Sequence, residues 1–574
     1  MTPEDAPWWT RAVVYQVYPR SFQDSDGDGV GDLGGILQRL DHLSDLGIDV
    51  LWVSPVYPSP QADNGYDISD YRGIDPLFGT LEQLDELIAE LHRRGMRLVM
   101  DLVVNHTSDE HPWFVESRSS RTSPNRDWYW WRPPRHGMAG GDPGAEPTNW
   151  QSFFSGPTWE YDEASGEYYL HLFDRKQPDL NWENPEVRHA VYEMMRWWLD
   201  RGVDGFRMDV INMISKDVAP DGHLHDGPPL PGSSLGDGTA HFLCGPRIHE
   251  FLQEMHREVL AGRGGVDGAA AFLTVGEMPG VTVEEAVLFT DPARAEVDMV
   301  FQFEHVGLDH GSSKWDVHPL KMRDLKASFG RWQAGLAEVG WNSLYWDNHD
   351  QPRAVSRFGD DSPEFRRDSA TCLATLLHLH RGTPYVYQGQ EIGMANYPFA
   401  SLEDFSDVES LNHYVHAVSA GEDAAHVLAA LRRMSRDNAR TPVQWDASPS
   451  AGFTTGTPWL PVNPDHVRWN AESQRKDPTS VLAHYRRLIA LRHDEPVVAL
   501  GDFAMLLPEH DDVYAFTRSL EDDVLLVVCN VSRHPYRLAD LLPQALHAQL
   551  VLGNLPAPDP QVLAPWEARV LRPR

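Results

Sequence analysis

The chain has 574 residues, 41% of them hydrophobic and 23% charged, an ordinary globular composition in a chain too long for one core. A formal net charge of −36 argues against nucleic acid and anionic membrane as partners, since both would repel it, and no run of 18 apolar residues offers a membrane span. Cys244, Cys372 and Cys529 have neither disulfide-framework nor zinc spacing, and the N-terminus lacks the basic start and apolar stretch of a signal peptide, so a reducing cytoplasm is the expected location.

The elements alternate in chain order. "AVVYQVYP" (12–19) reads as a first strand. In residues 34–56, Ile36, Leu40, Leu43 and Leu46 fall at helical spacing, Gly47 punctuates, and an apolar run follows. Residues 81–105 repeat this, with a stripe of Leu84, Leu87, Ile88 and Leu91, a stop at Gly95, and the strand "MRLVMDLVV". Residues 106–180, rich in Trp, Pro, Arg and Asn, show no helical period and read as an inserted loop domain. The rhythm resumes with "NPEVRHAVYEMMRWWLDRG" and "GFRMDV", then more loosely with "PRIHEFLQEMHREVLAG" and "AAFLTVGEM". "DMVFQFE", "NSLYWDNHD" and "TPYVYQGQE" complete eight strand candidates. Helices alternating with near-continuous apolar strands imply a buried parallel sheet, and eight strands is the count of a closed (β/α)8 TIM barrel. No G-x-G-x-x-G follows a strand, which weighs against an open dinucleotide-binding sheet. Alternating runs in 500–574 read as a C-terminal antiparallel β domain. The expected division is barrel 1–105, insertion 106–180, barrel 181–498 and β domain 499–574.

Polar residues cluster at the C-terminal ends of these strands, where barrels carry their chemistry. Asn105 and His106 end "DLVVNH", Glu277 ends "FLTVGEM", and His349 and Asp350 end "LYWDNHD". Arg207 and Asp209 stand two apart in "GFRMDV", so they share one face of an apolar strand. Three carboxylates from three strands suit glycosidic cleavage, which needs a nucleophile and a proton donor. Arg207 is expected to keep Asp209 ionised, and Glu277 to have a raised pKa. Separately, "DSDGDGVGD" sets Asp24, Asp26, Asp28 and Asp32 at calcium-loop spacing, with Gly29 at the turn and the Val30 carbonyl as a fifth ligand, although position twelve is Gly35 rather than Glu.

The ordered set "DLVVNH", "QPDLNW", "GFRMDV", "TVGEMPG", "NHDQPR" and "GTPYVYQGQEIGM" resembles glycoside hydrolase family 13, the α-amylase superfamily, in its oligo-1,6-glucosidase and α-glucosidase branch, over essentially the whole chain. The resemblance implies Asp209 as nucleophile, Glu277 as general acid/base and Asp350 as transition-state stabiliser. It implies His106, Arg207 and His349 as ligands of the glucose at subsite −1, with Asp63 and Tyr66 of "QADNGYDISDY" lining that site. Arg436 of "SRDNARTPVQWD" would pair with Asp63 and close the pocket, making the enzyme exo-acting. Val210, directly after the nucleophile, would favour α-1,6 over α-1,4 linkages. Related enzymes hold Ca2+ or Mg2+ in the acidic loop as a structural ion. The expected partner is an oligosaccharide, and the expected state a monomer or weak homo-oligomer. An α-1,4-preferring α-glucosidase and a trehalose-6-phosphate hydrolase are the alternatives, the latter lacking a visible Lys cluster for its phosphate. A sucrose isomerase would carry an Arg-rich loop that "QPRAVSRFGDDSPEFRRD" matches poorly, and a non-catalytic transporter heavy chain would have lost its carboxylates.

Overall fold

The computed structural model describes residues 6–264, 272–311 and 313–573. Eight strands form one parallel sheet: β1 (Val14–Val17), β2 (Val50–Val53), β3 (Arg97–Val103), then, after three strands of an insertion, β4 (Trp131–Arg132), β5 (Trp159–Asp162) and β6 (Glu167–Leu170), come β7 (Gly205–Asp209), β8 (Leu273–Glu277), β9 (Met299–Phe301), β10 (Ser343–Leu344) and β11 (Thr383–Tyr387). Their spatial order is β10-β11-β1-β2-β3-β7-β8-β9, and one parallel bridge, Val300 to Asn342, joins the two ends into a barrel. All eight expected strands are present. Ala270 and Ala271, counted with the β8 run, lie outside the described residues.

Local chemistry sets the helices between them. The helix Leu81–Arg93 starts on a capping box between Thr80 and Gln83 and buries the expected stripe of Leu84, Leu87, Ile88 and Leu91. The helix Pro185–Arg201 starts at the Asn184 cap and ends at Gly202, whose φ of 111° suits a residue without a Cβ. In the register of β3 against β7, Asp101 faces Arg207 and Val103 faces Asp209, while β8 places Glu277 beside Phe301 of β9. The C-terminal ends of these strands are therefore level, and their polar side chains meet.

The stretch 106–180 is more ordered than its composition suggests. It holds the helix Pro112–Ser119 and the antiparallel sheet β4-β6-β5. Eight helical residues are too few to show a period, and the helix is specified instead by Pro112 at its first position and the His111 side chain accepting from the Trp113 N–H. Trp130, Trp150, Trp159, Tyr168 and Leu170 build a second core that also takes in Val210 and Met213, so the insertion packs onto the loop leaving β7.

At the C-terminus, β12 (Asp502–Leu506), β13 (Val513–Leu520), β14 (Asp523–Asn530), β15 (Tyr536–Arg537), β16 (Gln549–Gly553), β17 (Val562–Leu563) and β18 (Ala568–Arg572) follow. They form an antiparallel sheet in the order β12-β13-β14-β18-β16, with β15 and β17 paired separately. Arg518, fully buried on β13, donates to the carbonyls of Leu379, Val498 and Gly501 and so ties the sheet to the barrel. Among the described residues no helix is long and apolar enough to cross a membrane.

Candidate active site

Arg207 stands at the centre of the strand ends. Its Nη1 lies 2.6 Å from Asp101 Oδ1 and 2.6 Å from Asp209 Oδ1, and its Nη2 lies 2.6 Å from Glu277 Oε1. The same-face argument for Arg207 and Asp209 therefore holds as geometry. One guanidinium shared by three carboxylates does not, however, hold Asp209 low. Burial pushes its pKa up to about 7, with Arg207 opposing and Asp101 adding to the rise. Burial also lifts Glu277 to about 8, again against Arg207, with Asp209 and then Asp350 contributing repulsion. Glu277 thus has the raised pKa expected of it, chiefly from burial rather than from its neighbours.

Past β7 the chain turns sharply. Val210 has φ 37° and ψ 39°, a left-handed conformation uncommon for a β-branched residue. The turn aims its N–H at Glu277 Oε2, 3.2 Å away. It also takes Val210 out of the strand and places it among the aromatic residues of the insertion.

Asp350 occupies the opposite side of the site, in the loop six residues beyond β10. His349 Nε2 is 3.2 Å from its Oδ2, Arg440 Nη2 is 2.8 Å from its Oδ1, and Arg436 Nη1 is 3.4 Å from the same oxygen. Burial alone would raise Asp350, but His349, Arg436 and Arg440 outweigh it and hold the carboxyl well below the usual range. Burial keeps His349 near 3 and so neutral, which leaves the two guanidiniums as the charge that matters. Arg436 also reaches Asp63 Oδ1 at 3.1 Å and Asp407 Oδ1 at 2.6 Å. Asp63 is linked through Gln177 Nε2, 3.2 Å from its Oδ2, to His106 Nε2, 3.2 Å from the same amide nitrogen. Burial lowers His106 to about 4, so it too is neutral. Tyr66 stacks on His349 with centroids 5.1 Å apart and donates to Asp101 Oδ2 at 3.2 Å. The structure thus brings together Asp63, Tyr66, His106, Arg207, Asp209, Val210, Glu277, His349, Asp350 and Arg436.

The family model for the alpha amylase catalytic domain matches residues 16–501. The chain belongs to glycoside hydrolase family 13, the α-amylase family. It is 53% identical to an oligo-1,6-glucosidase of Parageobacillus thermoglucosidasius over 99% of both chains. It is 46% identical to a trehalose-6-phosphate hydrolase of Bacillus subtilis strain 168, over 100% of this chain and 99% of that one. The solved isomaltulose synthase of Klebsiella sp. LX3 superimposes with a TM-score of 0.92 at 42% identity, over 99% of this chain and 100% of that one.

Four residues of this family-13 site escaped the sequence reading. Asp101 was visible as a lone carboxylate inside an apolar strand, two positions from the strand's end, and it needed the argument already applied to Arg207. Gln177 lies inside the quoted "QPDLNW", and Arg440 is four residues past Arg436 on the short helix Asp437–Arg440. Asp407 gave no local signal. It caps the distant helix Val408–Ser419 and arrives beside Arg436 only through the fold.

The acidic loop lies apart from these residues. Carboxylate oxygens of Asp24, Asp26 and Asp28 lie within 4.8 Å of one another. Asp32 is engaged differently, as the cap of the helix Leu33–Gln38, accepting from the Gly35 and Ser25 N–H groups and the Ser25 hydroxyl. Val30 donates its N–H to Asp28 Oδ1 at 2.7 Å. Burial raises the Asp28 pKa, and the charges of Asp26, Asp24 and Asp32 add to it. A crowded set of hard oxygen donors fits a calcium or magnesium ion.

Proposed function

We propose that this protein is a retaining, exo-acting α-glucosidase that releases glucose from α-1,6 linkages at the non-reducing end of isomaltose and isomalto-oligosaccharides, with transglycosylation as a side reaction. The observation that carries the reading is the pairing of one guanidinium, Arg207, with both Asp209 and Glu277, with the Asp63–Arg436 pair close by as the reading's closed end of the pocket. Two carboxylates on the two nitrogens of one guanidinium are compatible with the ~5–5.5 Å spacing of retaining enzymes. Relatives named oligo-1,6-glucosidase at 53% identity, aligned end to end, support the linkage.

In this reading Asp209 attacks the anomeric carbon while Glu277 gives its proton to the glycosidic oxygen, so the sugar leaves as an alcohol and a glycosyl-enzyme remains. Water then attacks the same carbon, the Glu277 carboxylate takes its proton, and Asp209 is released. Asp350, kept ionised by its arginines, stabilises the oxocarbenium-like charge. Tyr66, His106, Arg207 and His349 hold the glucose, the two neutral imidazoles offering hydrogen bonds without competing charge. The Asp63–Arg436 pair ends the pocket beyond −1, and the stiff Val210 crowds an α-1,4-linked leaving sugar more than an α-1,6-linked one, which has an extra rotatable bond.

In the same reading Asp24, Asp26 and Asp28, joined by the Val30 carbonyl and Asp32, hold one Ca2+ or Mg2+ that braces the loop and takes no part in the chemistry. The enzyme works in the cytoplasm as a monomer or weak homo-oligomer, which suits its three unpaired cysteines. The test is kcat/KM on isomaltose, maltose, trehalose, sucrose and trehalose-6-phosphate. Isomaltose should lead. A lead for maltose or trehalose-6-phosphate would replace the linkage assignment with the corresponding alternative.

A further inference from the structure

Phe153 is 41% exposed, one of the few large apolar side chains left open to solvent among the described residues. A lone exposed phenylalanine needs no explanation. This one, however, ends an aromatic ladder that begins in the active site. The His106 ring lies 5.2 Å from that of Phe173, and Phe173, itself partly exposed, is stacked on Phe153 with centroids 5.3 Å apart and planes at 20°. Phe242 closes against the edge of Phe153 at 6.0 Å.

The ladder borders both ends of the site. Phe242 belongs to the same apolar cluster as Val210, whose N–H meets the Glu277 carboxyl. Phe154, next in the chain, lies under the Arg436 guanidinium at 5.0 Å, so the segment borders both ends of the site; with the Asp63–Arg436 pair closing one end, a sugar that reaches the open Phe153 ring belongs to the leaving group. The segment is fixed as well as placed. The Phe153 N–H donates to the Leu172 carbonyl at 3.0 Å, and the Ser152 hydroxyl donates to the carbonyl of Phe173 at 2.8 Å. A flat apolar ring held rigid and half open to water suits the apolar face of a pyranose, at little cost in ordering.

We propose that Phe153, backed by Phe173 and Phe242, is the stacking platform for the leaving-group sugar and so a determinant of substrate specificity. The proposal rests on the glucosidase reading above. It is tested with α-glucosyl fluoride, whose leaving group fills no sugar subsite, beside isomaltose and isomaltotriose. Phe153→Ala should raise KM for the two oligosaccharides roughly three- to tenfold, the range of one aromatic contact, with little change in kcat. It should leave α-glucosyl fluoride hydrolysis unchanged, and Phe153→Trp should restore the oligosaccharide KM. An equal loss on all three substrates, or no loss on any, overturns the platform. A wild type that hydrolyses malto- but not isomalto-oligosaccharides overturns the linkage instead, and the platform is then read on maltose and maltotriose by the same criteria.

Discussion

The two sides of the pocket treat the same functional group in opposite ways. On the β7–β8 side one arginine serves Asp101, Asp209 and Glu277, and burial wins: all three carboxyls are raised, to about 6, 7 and 8. On the other side Asp350 has two arginines within 3.4 Å and is held down, whereas burial raises Asp63, which shares Arg436 with Asp350 and Asp407, to about 7. Depth is part of the difference, since the Asp350 side chain is 30% exposed against 9% for Asp209 and 7% for Glu277. The ratio of guanidiniums to carboxylates is the other part. A proton is retained where cations are scarce and excluded where they are plentiful, which is the division a general acid and a charge stabiliser require. The acidic loop is a third arrangement, since none of Asp24, Asp26 and Asp28 is paired with a basic side chain among the described residues, and a divalent ion would supply the missing charge.

The strongest way to break this comparison is to remove the proposed nucleophile and the proposed proton donor on the first side. Asp209→Ala should lower kcat by at least about 10^4-fold with an unchanged far-ultraviolet circular dichroism spectrum. Glu277→Gln should still be glycosylated by an activated aryl α-glucoside, whose leaving group needs little protonation, and the adduct on Asp209 should accumulate in mass spectra. Absence of the adduct together with an active Asp209 variant would reverse the assignment.

On the arginine-rich side, Asp63→Ala leaves Arg436 with one fewer buried partner, a loss of about 3–5 kcal/mol for a buried pair. Glucose inhibition should weaken by two or more orders of magnitude. The wild type should fail on a substrate blocked at its non-reducing end, and cleavage of that substrate would count against a closed pocket. For the acidic loop, exhaustive chelation should lower the melting temperature, since an ion at a hundredfold excess over Kd contributes about 2.7 kcal/mol. Turnover at low temperature should barely change. An unaltered melt with the metal shown to be absent would remove the ion from the account.

Val210 follows Asp209 directly and meets the Glu277 carboxyl through its N–H. Val210→Ala should shift the isomaltose to maltose ratio of kcat/KM toward maltose by about 1–3 kcal/mol, or roughly 10–200-fold at most. An unchanged ratio would assign the residue to its aromatic cluster alone. The smallest effect is in the pH profile. As the proposed acid Glu277 must be protonated, so kcat/KM should fall as pH rises through about 8. As the proposed nucleophile Asp209 must be ionised, so it should fall as pH drops through about 7. Asp350 stays ionised throughout and adds no limb. With an activated substrate, Glu277→Gln should lose the alkaline limb and keep the acid one.

The barrel was legible because its signals are local: a 3.6-residue stripe, a glycine stop and an apolar run recur around Leu84, Gly95 and Val99, and the strand-end polar residues follow from counting along each run. What was not legible depended on distance or on number. Asp407 reaches Arg436 from another part of the chain, with nothing nearby in sequence to announce it. The raised pKa of Asp209 required knowing that Arg207 is shared three ways, although the pairing of Arg207 with Asp209 itself followed from their spacing. The helix Pro112–Ser119 was too short to carry a period, and Val210 looked like strand because a left-handed turn leaves no mark on a valine.

The seam of the barrel has a further consequence. β10 is only two residues long, and among the described residues its one backbone bridge to β9 is Val300–Asn342, beside a bond from the Ser343 hydroxyl to the Val300 carbonyl. Few backbone bonds must open for this edge to part, so amide exchange should be faster there than along β3, which is laddered on both sides. Asp350 is carried on the loop that follows this least-zipped strand, whereas Asp209 and Glu277 end well-paired ones. Its position is therefore kept by side chains more than by the sheet: Arg440, from a helix beyond β11, binds both the Asp350 carboxylate and the His349 carbonyl and so anchors the loop that this short strand leaves loosely tethered.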